Sequence, residues 1–290
     1  MTQPRIGFIG TGVMGKSMIR HLMKGGYDLY IYNRTKEKAR ELINEGAHWC
    51  ETPGELAESA PIIFTIVGYP SDVEELYLGK DGLLNRASRG TTLVDMTTSK
   101  PALAQRLYEE ASKRELHMMD APVSGGDVGA KQGTLAIMVG GEKAVFDTLL
   151  PLFRLFGENI QLQGRAGAGQ YTKMANQIAV AGTMLGVSEA LAYAKTSGLD
   201  QDNVLKSIQT GAARSFALSE LAPRMVKGDF EPGFYIKHFI KDMRIAIESA
   251  EELGLKMPGL SLAKELYEKL AETGQENAGT QALYTYYINH

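Results

Sequence analysis

Three glycines near the N-terminus have the spacing of a phosphate-binding turn. The first follows an apolar stretch that predicts a strand, and the third opens a segment with helical periodicity. In such a turn the first glycine permits the tight bend, the second lets the backbone approach a pyrophosphate, and the third lets the helix pack against the strand. The alternative is a tight turn that binds nothing. The residues of the predicted dinucleotide-binding turn are Gly10, Thr11, Gly12, Val13, Met14 and Gly15.

The end of the second predicted strand indicates which dinucleotide is bound. An NAD enzyme usually has Asp or Glu here, on the ribose 2′-hydroxyl. This chain has Asn33, Arg34 and Thr35 instead. Arg34 can form a charge-assisted pair with a 2′-phosphate, so we expect NADP(H) as cofactor, with NAD(H) possible. The alternatives are that Arg34 is a solvated loop cation and that Thr35 caps the next helix, a role compatible with phosphate binding.

A second glycine-containing turn, Ser124-Gly125-Gly126, follows a predicted strand near its carboxyl end. Consecutive small residues leave backbone N–H groups accessible, which makes a concavity suited to a carboxylate. Such loops line the crevice of doubly wound sheets, which weighs against an ordinary glycine turn.

Lys173 and Asn176 carry the chemistry predicted for the second half of the chain. They are three residues apart on one predicted helix, so they share a face. That helix is otherwise mostly small and apolar, and burial of the lysine should lower its pKa toward the range useful for proton transfer. Asn176 offers both a donor and an acceptor. The alternative is a lysine that extends its amine to solvent.

The elements that position these residues follow from the apolar pattern. Over the first half, short apolar runs alternate with amphipathic segments, which predicts βαβ units and a parallel, doubly wound sheet of the Rossmann-like α/β class. After Gly164 helical patterns dominate. We therefore expect a dinucleotide-binding domain over residues 1–163 and an all-helical substrate and dimerisation domain over residues 164–290.

Composition excludes several classes of function. The net charge of −3 shows no basic excess that would indicate nucleic acid as a partner. The longest apolar runs fall far short of the roughly 20 residues that span a membrane. A single cysteine, Cys50, fits a reducing compartment, and we expect a cytoplasmic protein. The five histidines lack the spacing of a metal site, so no metal is expected.

Four separated segments together resemble the β-hydroxyacid dehydrogenase family, which includes 3-hydroxyisobutyrate dehydrogenases, tartronate semialdehyde reductases and glyoxylate/succinic semialdehyde reductases. The resemblance covers nearly the whole chain, and the four segments occur in the family's order. They are residues 7–15, 120–126, 167–177 and 241–243.

The resemblance implies roles for further residues. Ser124 and the two glycines after it would hold the substrate carboxylate, and Lys173 would be the acid/base catalyst with Asn176 beside it. Phe234 and Asp242 would shape the substrate site. Val67, Thr98 and Lys241 would lie near the cofactor. Family members are homo-oligomers, so a homodimer or homotetramer is expected.

The function implied is an NADP(H)-dependent dehydrogenase or reductase acting on a small 3-hydroxy carboxylate or the matching semialdehyde. Two departures bear on the substrate: Gln177 stands where many members have asparagine, as it does in the tartronate semialdehyde reductase branch, and Val67-Gly68-Tyr69-Pro70 replaces the usual Met-Leu-Pro pattern. Tartronate, glyoxylate and succinic semialdehyde thus remain alternatives. An imine reductase or a non-catalytic cofactor-binding protein would be expected to lack the lysine.

Overall fold

The computed structural model describes residues 3–288, which divide into two compact units. The first unit ends at Lys173 and the second begins at Met174. The predicted boundary at Gly164 lies at the end of the last strand, and helix α9, Ala168–Thr196, begins just after it.

The first unit contains one mixed sheet. Apolar residues occupy consecutive positions in its central strands, as expected where both faces of a parallel sheet are covered. The strand order is β3-β2-β1-β4-β5-β6-β8-β7, with β9 paired to β8. The strands are β1 Ile6–Ile9, β2 Leu29–Tyr32, β3 His48–Trp49, β4 Ile62–Thr65, β5 Thr92–Asp95, β6 His117–Asp120, β7 Val123–Ser124, β8 Leu135–Gly140 and β9 Gly157–Gly164.

Pairing is parallel from β3 to β6, which confirms the Rossmann-like class. The sheet is mostly parallel and is mixed at one end, because β8 runs antiparallel to both β6 and β7. The chain between β6 and β8 holds only the short β7 and a seven-residue helix. A connection of this kind lets the chain reverse instead of crossing over the sheet.

Helices cover both faces of this sheet, and neighbouring residues of one strand point into different cores. Phe8 packs into a core that also holds Met18 of the first helix, whereas Ile9 packs into the opposite core with Leu56. The helices are α1 Val13–Lys24, α2 Arg40–Asn44, α3 Pro53–Ser59, α4 Pro70–Leu78, α5 Leu83–Arg86, α6 Pro101–Ser112, α7 Gly126–Gln132 and α8 Lys143–Phe153, with a 3₁₀ turn at Lys36–Ala39.

The second unit is helical and has its own core, centred on Phe239, Met243 and Tyr267. This confirms the helical C-terminal domain. Besides the main part of α9 its helices are α10 Gln201–Ile208, α11 Ala222–Val226, α12 Ile236–Glu252, α13 Pro258–Leu270 and α14 Leu283–Ile288, with a π-helical turn at Ala217–Leu221 directly before α11. No helix within residues 3–288 is long and apolar enough to cross a membrane.

Candidate active site

The turn after β1 needs glycine at its first and third positions for reasons internal to the fold. Gly10 has a φ of +104°, and a Cβ there would strike the carbonyl oxygen of Ile66. A Cβ on Gly15 would strike the carbonyl oxygen of Gly10. These two glycines therefore allow α1 to start against the sheet, as the spacing predicts.

Gly12 is different, because within residues 3–288 no atom beyond its two chain neighbours would lie within 4 Å of a Cβ built there. Gly12 is the N-cap of α1, and the first N–H groups of a helix have no partner within the helix. The neighbouring Thr11 Oγ1 is buried and lacks a hydrogen-bond partner within residues 3–288. An open backbone cradle beside free donors fits the pyrophosphate of a dinucleotide. Val13, exposed, and Met14, half-buried, complete this first turn.

The residues after β2 divide into an internal brace and an exposed cation. Asn33 Oδ1 accepts from the Thr11 N–H at 3.1 Å, so Asn33 holds the glycine turn in place. Thr35 occupies the N-cap position of the 3₁₀ turn but makes no capping hydrogen bond. The Arg34 side chain is 87% exposed, and its Nη1 lies 3.4 Å from Asp72 Oδ1. The sequence did not predict a carboxylate beside Arg34, because Asp72 lies near the start of α4, 38 residues later in the chain.

A buried hydrogen-bonded chain supports the loops that follow β4 and β5. Val67 N–H donates to Thr97 Oγ1 at 2.9 Å, and Asp95 Oδ1 accepts from the Thr97 N–H at 3.1 Å and from Thr65 Oγ1 at 2.9 Å. Burial raises the pKa of Asp95 to about 6, and the hydrogen bonds from the two threonines oppose that rise. This network fixes the backbone directly before Thr98, a predicted cofactor residue.

Lys173 lies beside the loop predicted to bind carboxylate. The lysine is 7% exposed, and its Nζ donates to the Val123 carbonyl oxygen at 2.8 Å. Val123 and Ser124 form β7, and Gly125 and Gly126 follow with φ of +131° and +63°, a conformation that favours glycine. The structure thus brings the predicted catalytic amine next to the predicted substrate loop within one compact unit.

The first turn of α9 is attached to the sheet by Asp120. Its Oδ1 accepts from the Gly167 N–H at 2.7 Å, and its Oδ2 accepts from the Gln170 N–H at 2.8 Å. Burial raises the pKa of Asp120, and these backbone hydrogen bonds oppose the rise. Gln170 is fully buried; its Oε1 accepts from the Ser99 N–H at 2.9 Å, and its Nε2 donates to the Thr97 carbonyl oxygen at 2.7 Å.

A separate polar cluster lies in the second unit. Asn176 Nδ2 donates to Gln177 Oε1 at 2.7 Å, and Gln177 Nε2 donates to Asp242 Oδ2 at 2.6 Å. Lys241 Nζ lies 3.1 Å from Asp242 Oδ1, with only 13% of the lysine side chain exposed. Without the family resemblance, Lys241-Asp242 would read as a solvated helix start, and the structure shows a buried pair in α12. Phe234 is half-buried and packs on Phe239, with ring centroids 5.5 Å apart.

Metal chemistry has no candidate ligand cluster in the described chain. Among residues 3–288, no group of three or more His, Cys, Asp or Glu side chains could hold a metal ion. His290, one of the five histidines, lies outside the described residues.

Two family models cover almost the whole chain. The NAD-binding domain of 6-phosphogluconate dehydrogenase matches residues 5–164, and the NAD-binding domain of NADP-dependent 3-hydroxyisobutyrate dehydrogenase matches residues 167–287. The chain belongs to the β-hydroxyacid dehydrogenase family. As a member of the 3-hydroxyisobutyrate dehydrogenase-like group, it is an NAD(P)-dependent oxidoreductase that acts on hydroxyacids.

Similar proteins support this membership over the full length. An uncharacterized oxidoreductase of Bacillus subtilis, YkwC, is 60% identical, with 98% of each chain covered. The probable 3-hydroxyisobutyrate dehydrogenase-like 1, mitochondrial, of Arabidopsis thaliana is 48% identical over 96% of this chain and 84% of its own. A solved structure of Mycobacterium tuberculosis 3-hydroxyisobutyrate dehydrogenase with L-serine superposes with a TM-score of 0.90 at 25% identity, covering 98% and 99% of the two chains.

Sequence reasoning assigned no role to several buried residues that organise this dehydrogenase. Asp95, Asp120 and Gln170 are each at most 3% exposed. A useful signal was available for Asp120, which ends an apolar strand with its carboxylate at the carboxyl edge of the sheet, where parallel strands present functional groups. Gln170 could be found only through the loop that it contacts.

Proposed function

We propose that this enzyme is an NADP(H)-dependent dehydrogenase or semialdehyde reductase for a small 3-hydroxy carboxylate of the 3-hydroxyisobutyrate kind, with Lys173 as its general acid/base. The observation that carries the proposal is the 2.8 Å hydrogen bond from Lys173 Nζ to the Val123 carbonyl oxygen. This bond places the amine one residue from Ser124, where backbone donors are available to a substrate carboxylate.

The two groups suit the two ends of such a substrate. The Ser124 hydroxyl and the N–H groups of Gly125 and Gly126 would bind the carboxylate. Lys173, largely removed from water, would take the proton of the 3-hydroxyl during oxidation and return it during reduction. The bound nicotinamide would supply the hydride acceptor or donor. Asn176, one helical turn after Lys173, would orient the reacting oxygen, and Phe234 and Asp242 would shape the substrate site.

The cofactor assignment rests on the turn after β1 and on Arg34. The turn would hold the pyrophosphate over Gly12, and the exposed Arg34 guanidinium would bind the 2′-phosphate of NADP(H). Asn33 and Thr35 would support this end of the nucleotide. Lys241 would contact the cofactor, as the family resemblance implies. Val67 and Thr98 would lie along the cofactor, on loops fixed by the Asp95 network.

Replacement of Lys173 by alanine tests the catalytic assignment. We expect turnover to fall by about 10²–10⁴-fold, the usual contribution of a positioned acid/base, while NADPH affinity stays within a few-fold of wild type. Lys195→Ala provides a control, because Lys195 is an exposed lysine near the other end of the same helix. Near-normal turnover of Lys173→Ala in an assay at 340 nm would refute the proposed role.

One observation favours a second substrate. Gln177, shared with the tartronate semialdehyde reductase branch, donates to Asp242 at 2.6 Å and so changes the surroundings of a proposed substrate residue. A panel of 3-hydroxyisobutyrate, tartronate semialdehyde, glyoxylate and succinic semialdehyde separates these candidates by kcat/KM.

The presence of Lys173 disfavours an imine reductase and a non-catalytic cofactor-binding protein. We also propose a homodimer or homotetramer, which light scattering after size-exclusion chromatography would measure.

A further inference from the structure

The start of α9 is capped by a side chain from elsewhere in the chain. The helix begins at Ala168, and the residue before it, Gly167, has a φ of +88° and no side chain with which to accept a hydrogen bond. Asp120, at the end of β6, accepts the N–H groups of Gly167 and Gln170 instead. A carboxylate at this end of a 29-residue helix also meets the positive end of its dipole.

Two glycines leave the room that this carboxylate occupies. A Cβ on Gly140 would collide with Asp120 Oδ1, and a Cβ on Gly169 would come within 2.8 Å of Asp120 Oδ2. Because both positions admit only glycine, the backbones of β8 and of the helix start close around the acid. The backbone around Asp120 is therefore shaped to hold its carboxylate, and we call this arrangement the Asp120 anchor.

Gln170 connects this anchor to the loop after β5. Its Oε1 accepts a hydrogen bond from the Ser99 N–H, and its Nε2 donates to the Thr97 carbonyl oxygen. Gln170 therefore holds the backbone on both sides of Thr98. Gln170 and Lys173 are three residues apart on α9 and therefore lie on one face of the helix. A shift of Gln170 relative to the loop would carry Lys173 with it, because one helical turn is rigid on this scale.

We propose that Asp120 and Gln170 are positioning residues for Lys173, with Asp120 fixing where α9 starts and Gln170 setting its placement against the loop that carries Thr98. Neither residue needs to touch the substrate for this role. The inference rests on the proposed function of Lys173, because it explains how that amine is held 2.8 Å from the Val123 carbonyl.

The test replaces Gln170 by methionine, which has a similar length and neither amide contact. We expect kcat to fall by about 10–100-fold, the scale of loss when a catalytic group is displaced by about 1 Å. The KM for the hydroxyacid should change by less than about threefold, because Ser124 is held by the pairing of β7 with β8, in which Gln170 takes no part. Gln170→Asn, which keeps the amide but cannot span both contacts, is the second variant if the methionine variant folds poorly.

A double-mutant cycle with Lys173→Ala distinguishes positioning from general destabilisation. If Gln170 acts through Lys173, then Gln170→Met causes no further loss of turnover in the Lys173→Ala background. A matched control is Gln201→Met, which removes a glutamine amide bonded to the Leu191 carbonyl near the other end of α9. That variant should keep kcat within about twofold, as expected where no interaction in the transition state is lost.

Three results bear on the inference. Equal loss of turnover from Gln170→Met in both backgrounds would show a purely structural role and overturn it. An unchanged kcat in Gln170→Met would also overturn it, even if Lys173→Ala is inactive, and would leave the proposed function intact. A nearly active Lys173→Ala would instead refute the proposed function, and the inference with it.

Discussion

Individual glycines in the turn after β1 have separable tasks. A Cβ at Gly15 meets the Gly10 carbonyl oxygen, whereas a Cβ at Gly12 meets no atom of the described chain within 4 Å apart from those of its two neighbours. The fold itself excludes a side chain at Gly15. At Gly12 a side chain is excluded only if a ligand approaches the backbone there. The glycine spacing predicts both reasons from the general form of such turns. The structure adds the specific contact that excludes a side chain at Gly15.

Paired alanine substitutions make this difference measurable. Gly15→Ala should lower the free energy of unfolding by about 1–3 kcal/mol, as overpacking of a closed contact does. Gly12→Ala should leave stability within about 0.5 kcal/mol of wild type yet weaken NADPH binding by about tenfold or more, a loss of about 1.4 kcal/mol. Chemical denaturation and fluorescence titration of NADPH measure the two effects. A destabilised Gly12→Ala with normal affinity would contradict this assignment.

At the scale of elements, the ends of β4 and β5 depend on one buried carboxyl group. Asp95 is fully enclosed among Thr65, Thr97 and Tyr77, whose hydroxyl lies 2.8 Å from Thr65 Oγ1. Its pKa of about 6 is above the ordinary value of 3.8. The folded state therefore binds a proton more tightly than the unfolded chain does, and the stability from Asp95 is present below pH 3.8 and lost as pH rises through 6.

Asp95→Asn should remove this dependence, because the amide keeps an acceptor for Thr65 and Thr97 but does not ionise. We expect the free energy of unfolding of the wild type, relative to that of the variant, to decrease by on the order of 2–3 kcal/mol between pH 4 and pH 7. Urea denaturation at several pH values measures the difference. A constant difference between the two proteins would show that Asp95 does not titrate in this range.

The elements themselves differ in how far the sequence predicts them. The central strands β1, β4 and β5 lie within two residues of the strands predicted at residues 5–10, 62–67 and 91–96, because continuous apolar runs bounded by turns leave few alternatives. The two-residue strand β3 and the edge strand β9 are missed. β9 alternates exposed and half-buried residues, among them Glu158 and Gln161, and its polar composition resembles a loop. Its pairing with β8 comes from tertiary contacts that local composition does not contain.

At the scale of the whole molecule, the sequence predicts the order of an α/β unit and a helical unit, and it predicts a dinucleotide cofactor. Its prediction of the cofactor contacts is less complete. The segment Asn33-Arg34-Thr35 contains no carboxylate, yet Asp72 Oδ1 lies 3.4 Å from Arg34 although Asp72 is 38 residues later in the chain. Distant partners of this kind are not predictable from local sequence.

Cofactor binding should raise the free energy of unfolding of the enzyme, and the size of this increase with NADPH should depend on Arg34. NADPH at 100 times its dissociation constant adds about 2.7 kcal/mol to the free energy of unfolding, which raises the melting temperature by several degrees. We expect Arg34→Ala to lose most of this gain with NADPH and little with NADH. Arg89→Ala is the control, since Arg89 is an exposed arginine paired with Glu115. A larger stabilisation of the wild type by NADH would overturn the NADP(H) assignment.

The continuity of α9 has a consequence for building chimaeras between relatives. The division between compact units falls after Lys173, inside a helix that runs from Ala168 to Thr196. A crossover placed there would join two parental sequences between Lys173 and Asn176, whose proposed roles depend on their spacing of one helical turn. A crossover in the Gly164–Gly167 segment would keep that pair on one parent's helix, but it would separate Asp120 from the Gly167 and Gln170 N–H groups that it caps. The first junction thus separates Lys173 from Asn176, and the second separates Asp120 from the helix start that it caps. A library of chimaeras containing both junctions would show which of these pairings affects substrate preference.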